Sequence, residues 1–168
     1  MKKEVINHFL YLLGYLILIV ILNSLYSLKY YPLILGALVG IFLPYIDHLL
    51  HVYFISPQEL NSQRIKYMIL QKQIKGALQL LYETAGERTN LAFHTLNFQL
   101  IFIVLTFWII SSSGSYFGKG LVLAFFLSLF LQNLRKYLNK EILFVDIDKT
   151  RIYFIANILF LIIFAILV

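Results

Sequence analysis

The sequence predicts an all-α fold, a helical bundle embedded in a membrane, and three observations carry that expectation. Of 168 residues, 61% are hydrophobic and only 13% charged, against about 45–50% and about 25% in an ordinary soluble domain. The mean hydropathy of +0.83 leaves more apolar surface than one small core can hide. Second, five apolar runs of ~17–25 residues match the thickness of a hydrocarbon core. Third, the cations are sorted into alternate connecting segments.

Taken in order, the first span covers about Val5–Leu28. Met1-Lys2-Lys3 precedes it, but it lacks a small-x-small cleavage site and reads as a retained helix rather than a signal peptide. Lys29-Tyr30-Tyr31-Pro32 makes a turn, and the second span covers about Leu33–Ile55. It stops at Ser56-Pro57, because the residue before proline is pushed out of the helical region. The third span is about Leu91–Ile110, ended by Ser111-Ser112-Ser113-Gly114. The fourth is about Phe117–Tyr137, and the fifth Ile152–Val168. This is one transmembrane helical domain over 1–168, with a cytoplasmic amphipathic insertion at about 56–90. In that insertion Leu60, Tyr67, Leu70, Ile74, Ala77, Leu78 and Leu81 recur at helical spacing, with Arg64, Gln71, Lys75 and Gln79 on another face. It reads either as a helix on the anionic leaflet or as one packed on the bundle or a protein partner.

Orientation follows from the cations. With the N-terminus cytoplasmic, 12 of the 14 lysines and arginines fall in inside segments and only Lys29 and Lys119 outside, as the positive-inside rule requires. The C-terminus is then external. Tyr26, Tyr30, Tyr31, Trp108 and Tyr116 mark the outer interface; Tyr53, Tyr137 and Tyr153 mark the inner one. A net charge of +6, sorted this way, points to membrane orientation and anionic lipid headgroups and away from nucleic acid. The chain has no cysteine, so there is no disulfide or thiolate zinc site; any metal must use His, Asp or Glu.

The polar residues inside the spans converge. His8 lies near the inner end of the first span; Asp47, His48 and His51 in the inner part of the second; His94 at the inner end of the third. Ser128, Gln132 and Asn133 lie in the inner part of the fourth. An Asp at a membrane-helix centre costs roughly 2.5–3.5 kcal/mol, so Asp47 is expected to face protein, a cavity or an ion. Gly36 and Gly40 let a neighbouring helix approach closely, and Pro44 bends the second span just before Asp47. Asp47 and His51 share a face, with His48 displaced by about 100°. His8 or His94 is needed to complete any coordination sphere. The bland alternatives are interfacial histidines at His8, His51 and His94, and a plain hydrogen bond for Asp47. Asp146-Ile147-Asp148 reads as solvated charge.

At these residues the sequence resembles the bacterial inner-membrane metal-dependent hydrolases, the YdjM-like proteins. That family carries a His in the first helix, a Leu-Pro-Asp-x-Asp-His block, a His-Arg-x-x-Thr-His-Ser block and a late Ser-His-x-x-x-Asp. The resemblance covers about the first four helices and is strongest at Leu43-Pro44-Tyr45-Ile46-Asp47-His48. It implies metal ligands at His8, Asp47, His48 and His94, Glu87-Arg88 in place of His-Arg, and His94-Thr95 as the His-Ser pair. Three ligand positions are substituted: Tyr45, Ser128 and Gln132. Neutral Ser and Gln are poor stand-ins for His and carboxylate, because a hydrolytic metal must lower the pKa of a bound water and keep an open position.

Two readings follow. In the first, the chain keeps the scaffold with a degraded site, sits multi-pass in a bacterial cytoplasmic membrane, and acts by binding lipid or a membrane protein partner. In the second, it is an active hydrolase of phospholipid or another phosphate ester. There one Zn2+ or another divalent metal on His8, Asp47 and His94 activates water, Glu87 or His48 is the base, and Arg88 holds the phosphate.

Overall fold

The computed structural model describes the chain apart from residues 1, 86–87, 89–90, 94 and 139–146, and apart from the side chains of 2–6, 28, 96, 136 and 147–150. The described residues are helical, with no strand among them. The helices are α1 (Lys2–Leu22), α2 (Tyr31–Gly40), α3 (Leu43–Leu50), α4 (Leu60–Leu70), α5 (Ile74–Glu83), α6 (Leu96–Ser112), α7 (Tyr116–Leu138) and α8 (Ile147–Leu167), with a wide π-type turn at His51–Ile55. Two helical runs are long and apolar enough to cross a membrane, Tyr31–Ile55 and Tyr116–Arg135. Asn7–Leu22, Asn97–Ser112 and Arg151–Leu167 are shorter apolar helices. Two compact units emerge, one of residues Leu43–Gln99, the other of Lys2–Phe42 with Leu100–Val168.

The larger unit is built around α7. Every residue from Val122 to Phe130 is buried, as expected of a helix apolar all round. Its aromatic rings meet those of its neighbours edge-on: Phe125 with Phe102 of α6 at 4.6 Å, Phe126 with Phe164 of α8 at 5.8 Å, and Phe130 with Phe154 at 5.9 Å. Ser115 caps the start of α7, its hydroxyl accepting from the Gly118 N–H at 3.2 Å.

Against α2 the contact is closer, backbone to backbone. A Cβ at Gly36 would run into the Phe117 carbonyl, one at Gly40 into that of Leu121, and one at Gly120 into that of Leu33. Gly36 and Gly40 were expected to admit a neighbour; Gly120 supplies the reciprocal notch. The pairing rises in number on both helices, Leu33 with Gly120 and Ile41 with Ser128, so α2 and α7 run parallel. At their shared starts Tyr30 and Tyr116 meet edge-on at 4.8 Å, with Lys29 over one ring and Lys119 over the other.

Parallel pairing also joins α1 and α8. The Tyr15 hydroxyl donates to the Leu161 carbonyl at 2.8 Å, and Asn23 Nδ2 to that of Ala165 at 2.7 Å. By contrast α8 runs against α7, with Asn133 bonded to Tyr153 at one end and Lys119 to the Val168 carbonyl at the other. Ile109 beside Gly118 and Phe102 beside Phe125 set α6 against α7 as well. Thus α1, α6 and α8 point one way, and α2 and α7 the other.

This unit is apolar on its outside as well as in its core, and a few polar side chains are buried in it. Thr106, Ser128, Asn133 and Asn157 are buried, while Val104, Trp108, Ile155, Leu159 and Ile162 are exposed, Trp108 at 70%. Two of these buried polar groups bond to main chain one turn back, Thr106 to the Phe102 carbonyl at 2.7 Å and Asn157 to that of Tyr153 at 2.8 Å. That habit suits a medium offering no hydrogen bonds of its own.

Several boundaries differ from expectation. α1 ends at Leu22, six residues early, because Ser24 takes a left-handed conformation (φ 52°) while Leu25 N–H reaches back to the Val20 carbonyl. That is a Schellman closure, with serine where glycine is usual. The second span is interrupted at Ile41-Phe42, before Pro44 rather than at it. α6 begins at Leu96, not Leu91, because Thr95 caps it, its hydroxyl accepting from the Phe98 N–H at 3.3 Å. The amphipathic insertion is two helices: α4 closes with Lys72 at φ 59°, and Gln73 N–H bonds back to Met68.

Candidate functional site

The smaller unit holds Asp47, and its surroundings decide what that residue does. It lies on α3, 0% exposed. Its Oδ1 accepts from the Ala92 N–H at 3.0 Å and its Oδ2 from the Phe93 N–H at 2.7 Å. Two consecutive backbone amides thus converge on one carboxylate. Hydrogen bonds to an ionised group contribute about 1.5–3 kcal/mol each, enough to offset an Asp's exclusion from water. The fork holds the stretch leading into α6, where Phe93 also stacks on Phe98 at 4.8 Å.

The next residue on α3 holds the preceding part of the same stretch. His48 Nδ1 lies 3.5 Å from Arg88 Nη1. Since guanidinium only donates, that ring nitrogen accepts. Arg88, 5% exposed, spends its other donors on α5: Nη1 bonds the Leu81 carbonyl at 2.8 Å and Nη2 the Thr84 hydroxyl at 2.6 Å. Thr84 in turn donates to the Leu80 carbonyl at 2.7 Å. The cation therefore caps the C-terminal end of α5, where carbonyls are unpaired and the helix dipole favours positive charge. Asp47 and His48 together hold Arg88, Ala92 and Phe93 beside α3 as a latch.

His51, expected at an interface, is instead buried, and its Nδ1 has no hydrogen-bond partner; the Ser62 hydroxyl on α4 is also buried without one. They border an apolar cluster of Val52, Ile65, Ala77 and Leu81.

Of the other positions singled out in the sequence, Tyr45, a substituted ligand position, is half-buried on α3. His94 and Glu87 lie outside the described residues, as does Asp146. His8, half-buried on α1, and Ser128 and Gln132 on α7 belong to the larger unit. Ser128 donates to the Ile41 carbonyl at 3.4 Å, a carbonyl next to the break between α2 and α3. Among the described residues no three His, Asp or Glu side chains are grouped to hold a metal ion. A guanidinium beside His48 opposes a second cation there, while each Asp47 oxygen keeps a lone pair beyond the amide it accepts.

No family model, curated protein or solved structure matches this chain. The likeness to YdjM-like proteins rests on the quoted residues alone.

Sequence reasoning missed the latch. Arg88 was assigned a phosphate, and nothing in residue type marks Ala92 and Phe93 as donors. The available signal was the distance from Glu83 to the next apolar run: a segment that long beside a buried Asp needs its amides satisfied.

Proposed function

We propose that the chain is an integral membrane protein of five spans, N-terminus cytoplasmic and C-terminus external, that acts by binding as a scaffold or partner subunit rather than by hydrolysis. The observation that carries this reading is the apolar outer surface of the larger unit. Apolar side chains on α1, α2, α6 and α8 face outward around an interior that is itself apolar apart from a few groups such as Thr106, Ser128, Asn133 and Asn157. Water would penalise that outer surface; lipid does not. The alternating directions of α1, α2, α6, α7 and α8 support an odd number of crossings. Lys29 and Lys119 share one end of the parallel α2–α7 pair, in keeping with both being external.

The binding role has separate support. A hydrolytic metal needs several ionisable ligands and an open coordination position. The positions resembling the late family ligands are the neutral Ser128 and Gln132, and Asp47 has a structural role to perform without a metal. On this reading a YdjM-like bundle in a bacterial cytoplasmic membrane has kept its carboxylate for structure.

The chain lacks cysteine, so single cysteines report topology cleanly. On intact cells a membrane-impermeant maleimide should label Ser27→Cys and Gly114→Cys but not Gln71→Cys or Tyr137→Cys. The converse pattern overturns the orientation, and labelling at all four overturns insertion. Elemental analysis of detergent-purified protein should find no stoichiometric zinc. About one equivalent per chain, lost in Asp47→Ala or His94→Ala, would restore the hydrolase.

A further inference from the structure

We infer that the α4–α5 hairpin is a docking surface for an anionic lipid leaflet, lying flat on it through its outward apolar face and the cations beside that face. This rests on the membrane reading above.

A solvated helix hairpin needs one apolar face, turned inward. Here the inward face is complete: Ile65 of α4 and Ala77 and Leu81 of α5 pack with Val52, and Met68, Ile69 and Leu80 close around them. Ala77 and Leu81, which helical spacing alone would group with the lipid-facing set, belong to this core. Yet Leu60, Tyr67, Leu70, Ile74 and Leu78 remain exposed, Leu70 at 81%. They occupy both helices and flank the connecting turn, so the hairpin carries a second apolar face that no described residue of its own unit covers. Single exposed leucines are ordinary; five on one small hairpin mark an interaction surface.

Charge identifies the occupant. Arg64, Lys72 and Lys75 are exposed among these residues, whereas the hairpin's acids, Glu59 and Glu83, stand at its two ends. Lys72 is at the turn itself, held in the left-handed conformation, between Leu70 and Ile74. Cations whose aliphatic stems lie beside exposed leucines are the arrangement of interfacial helices, with ammonium groups in the headgroup layer and apolar side chains beneath. A protein partner would need matching acids and its own groove. An anionic leaflet supplies both properties, and each cation adds about fivefold to the docking equilibrium.

The test uses the full chain reconstituted in vesicles, with a nitroxide on Leu70→Cys or Leu78→Cys and a control on Val104→Cys of α6. Accessibility to oxygen, which concentrates in lipid, is compared with accessibility to a water-soluble nickel chelate. In mixed phosphatidylcholine–phosphatidylglycerol vesicles both hairpin labels should favour oxygen, and in pure phosphatidylcholine they should shift toward nickel. Converting Arg64, Lys72 and Lys75 to Glu should give the same shift in the mixed vesicles. The lipid exchange alone needs no charge variant, so a folding defect in that variant leaves the measurement standing. Nickel-favoured hairpin labels in both vesicles overturn the inference. So does indifference to phosphatidylglycerol, and so does protection from both reagents, which would mean that protein covers the face. If Val104 also favours nickel, the membrane reading itself has failed; if Val104 favours oxygen while the hairpin does not, only this inference has.

Discussion

Asp47 shows how one side chain's partners change its meaning. A buried carboxylate near histidines suggests a ligand; a buried carboxylate accepting two successive amides is a latch. Its removal takes the acceptor from both N–H groups, and losing a charge-assisted hydrogen bond costs about 1.5–3 kcal/mol. Asp47→Ala should therefore lower stability by about 2–5 kcal/mol. Asp47→Asn, which keeps one acceptor but turns an NH2 toward the other amide, should lose about half as much. Thermal unfolding in detergent measures both, and a neutral Asp47→Asn would count against the latch. That Asp47 would be buried and partnered was legible from the cost of a charge in lipid. Its partners were not, because a backbone amide has no identity in sequence. Arg88 was misleading for a related reason: its five donors suit a helix end as well as a phosphate.

At the scale of elements, α7 was readable because an unbroken apolar run leaves few alternatives, and so was the apolar part of α8, although that helix starts at Ile147 rather than at the expected Ile152. The ends of α1 and α4 were hidden because both close through a left-handed residue that is not glycine, Ser24 and Lys72. Nothing in Gln71-Lys72-Gln73 announces a turn. Lys72→Gly should stabilise the protein by about 0.5–1 kcal/mol, relieving the left-handed cost less glycine's greater freedom when unfolded. A lowered melting midpoint in that variant would contradict this account of the turn. The α2–α7 seam predicts an opposite result for a smaller change. Gly36→Ala sets a methyl against the Phe117 carbonyl, and overpacking of this kind costs about 1–3 kcal/mol. Gly14 in α1 has open space around it, so Gly14→Ala should be neutral or gain up to about 1 kcal/mol. Equal effects at the two glycines would remove the seam from the explanation.

For the whole molecule, the sequence's surplus of apolar residues foretold the apolar outer surface of the larger unit, since composition alone exceeds what a core can take up. It could not foretell that residues 43–99 form a unit of their own, because that depends on the Asp47 and Arg88 contacts, which span about forty-five residues. Leu159, exposed at the middle of α8, tests the surrounding medium directly. Leu159→Asp should cost roughly 2.5–3.5 kcal/mol of insertion and deplete the carbonate-resistant membrane fraction, whereas Leu159→Ala should not. Equal recovery of both would mean that this flank meets water.

The seam between α2 and α7 also dictates an order of events during synthesis. Its two halves are separated by 87 residues at Ser128 and Ile41, so the notch at Gly36 and Gly40 leaves the ribosome long before anything exists to fill it. On the proposed membrane reading, α2 is sheltered throughout that interval by acyl chains or by the insertion machinery. The bundle can lock only when the second-last helix arrives, and a chain truncated before Gly120 would present an open groove to the cell's quality control.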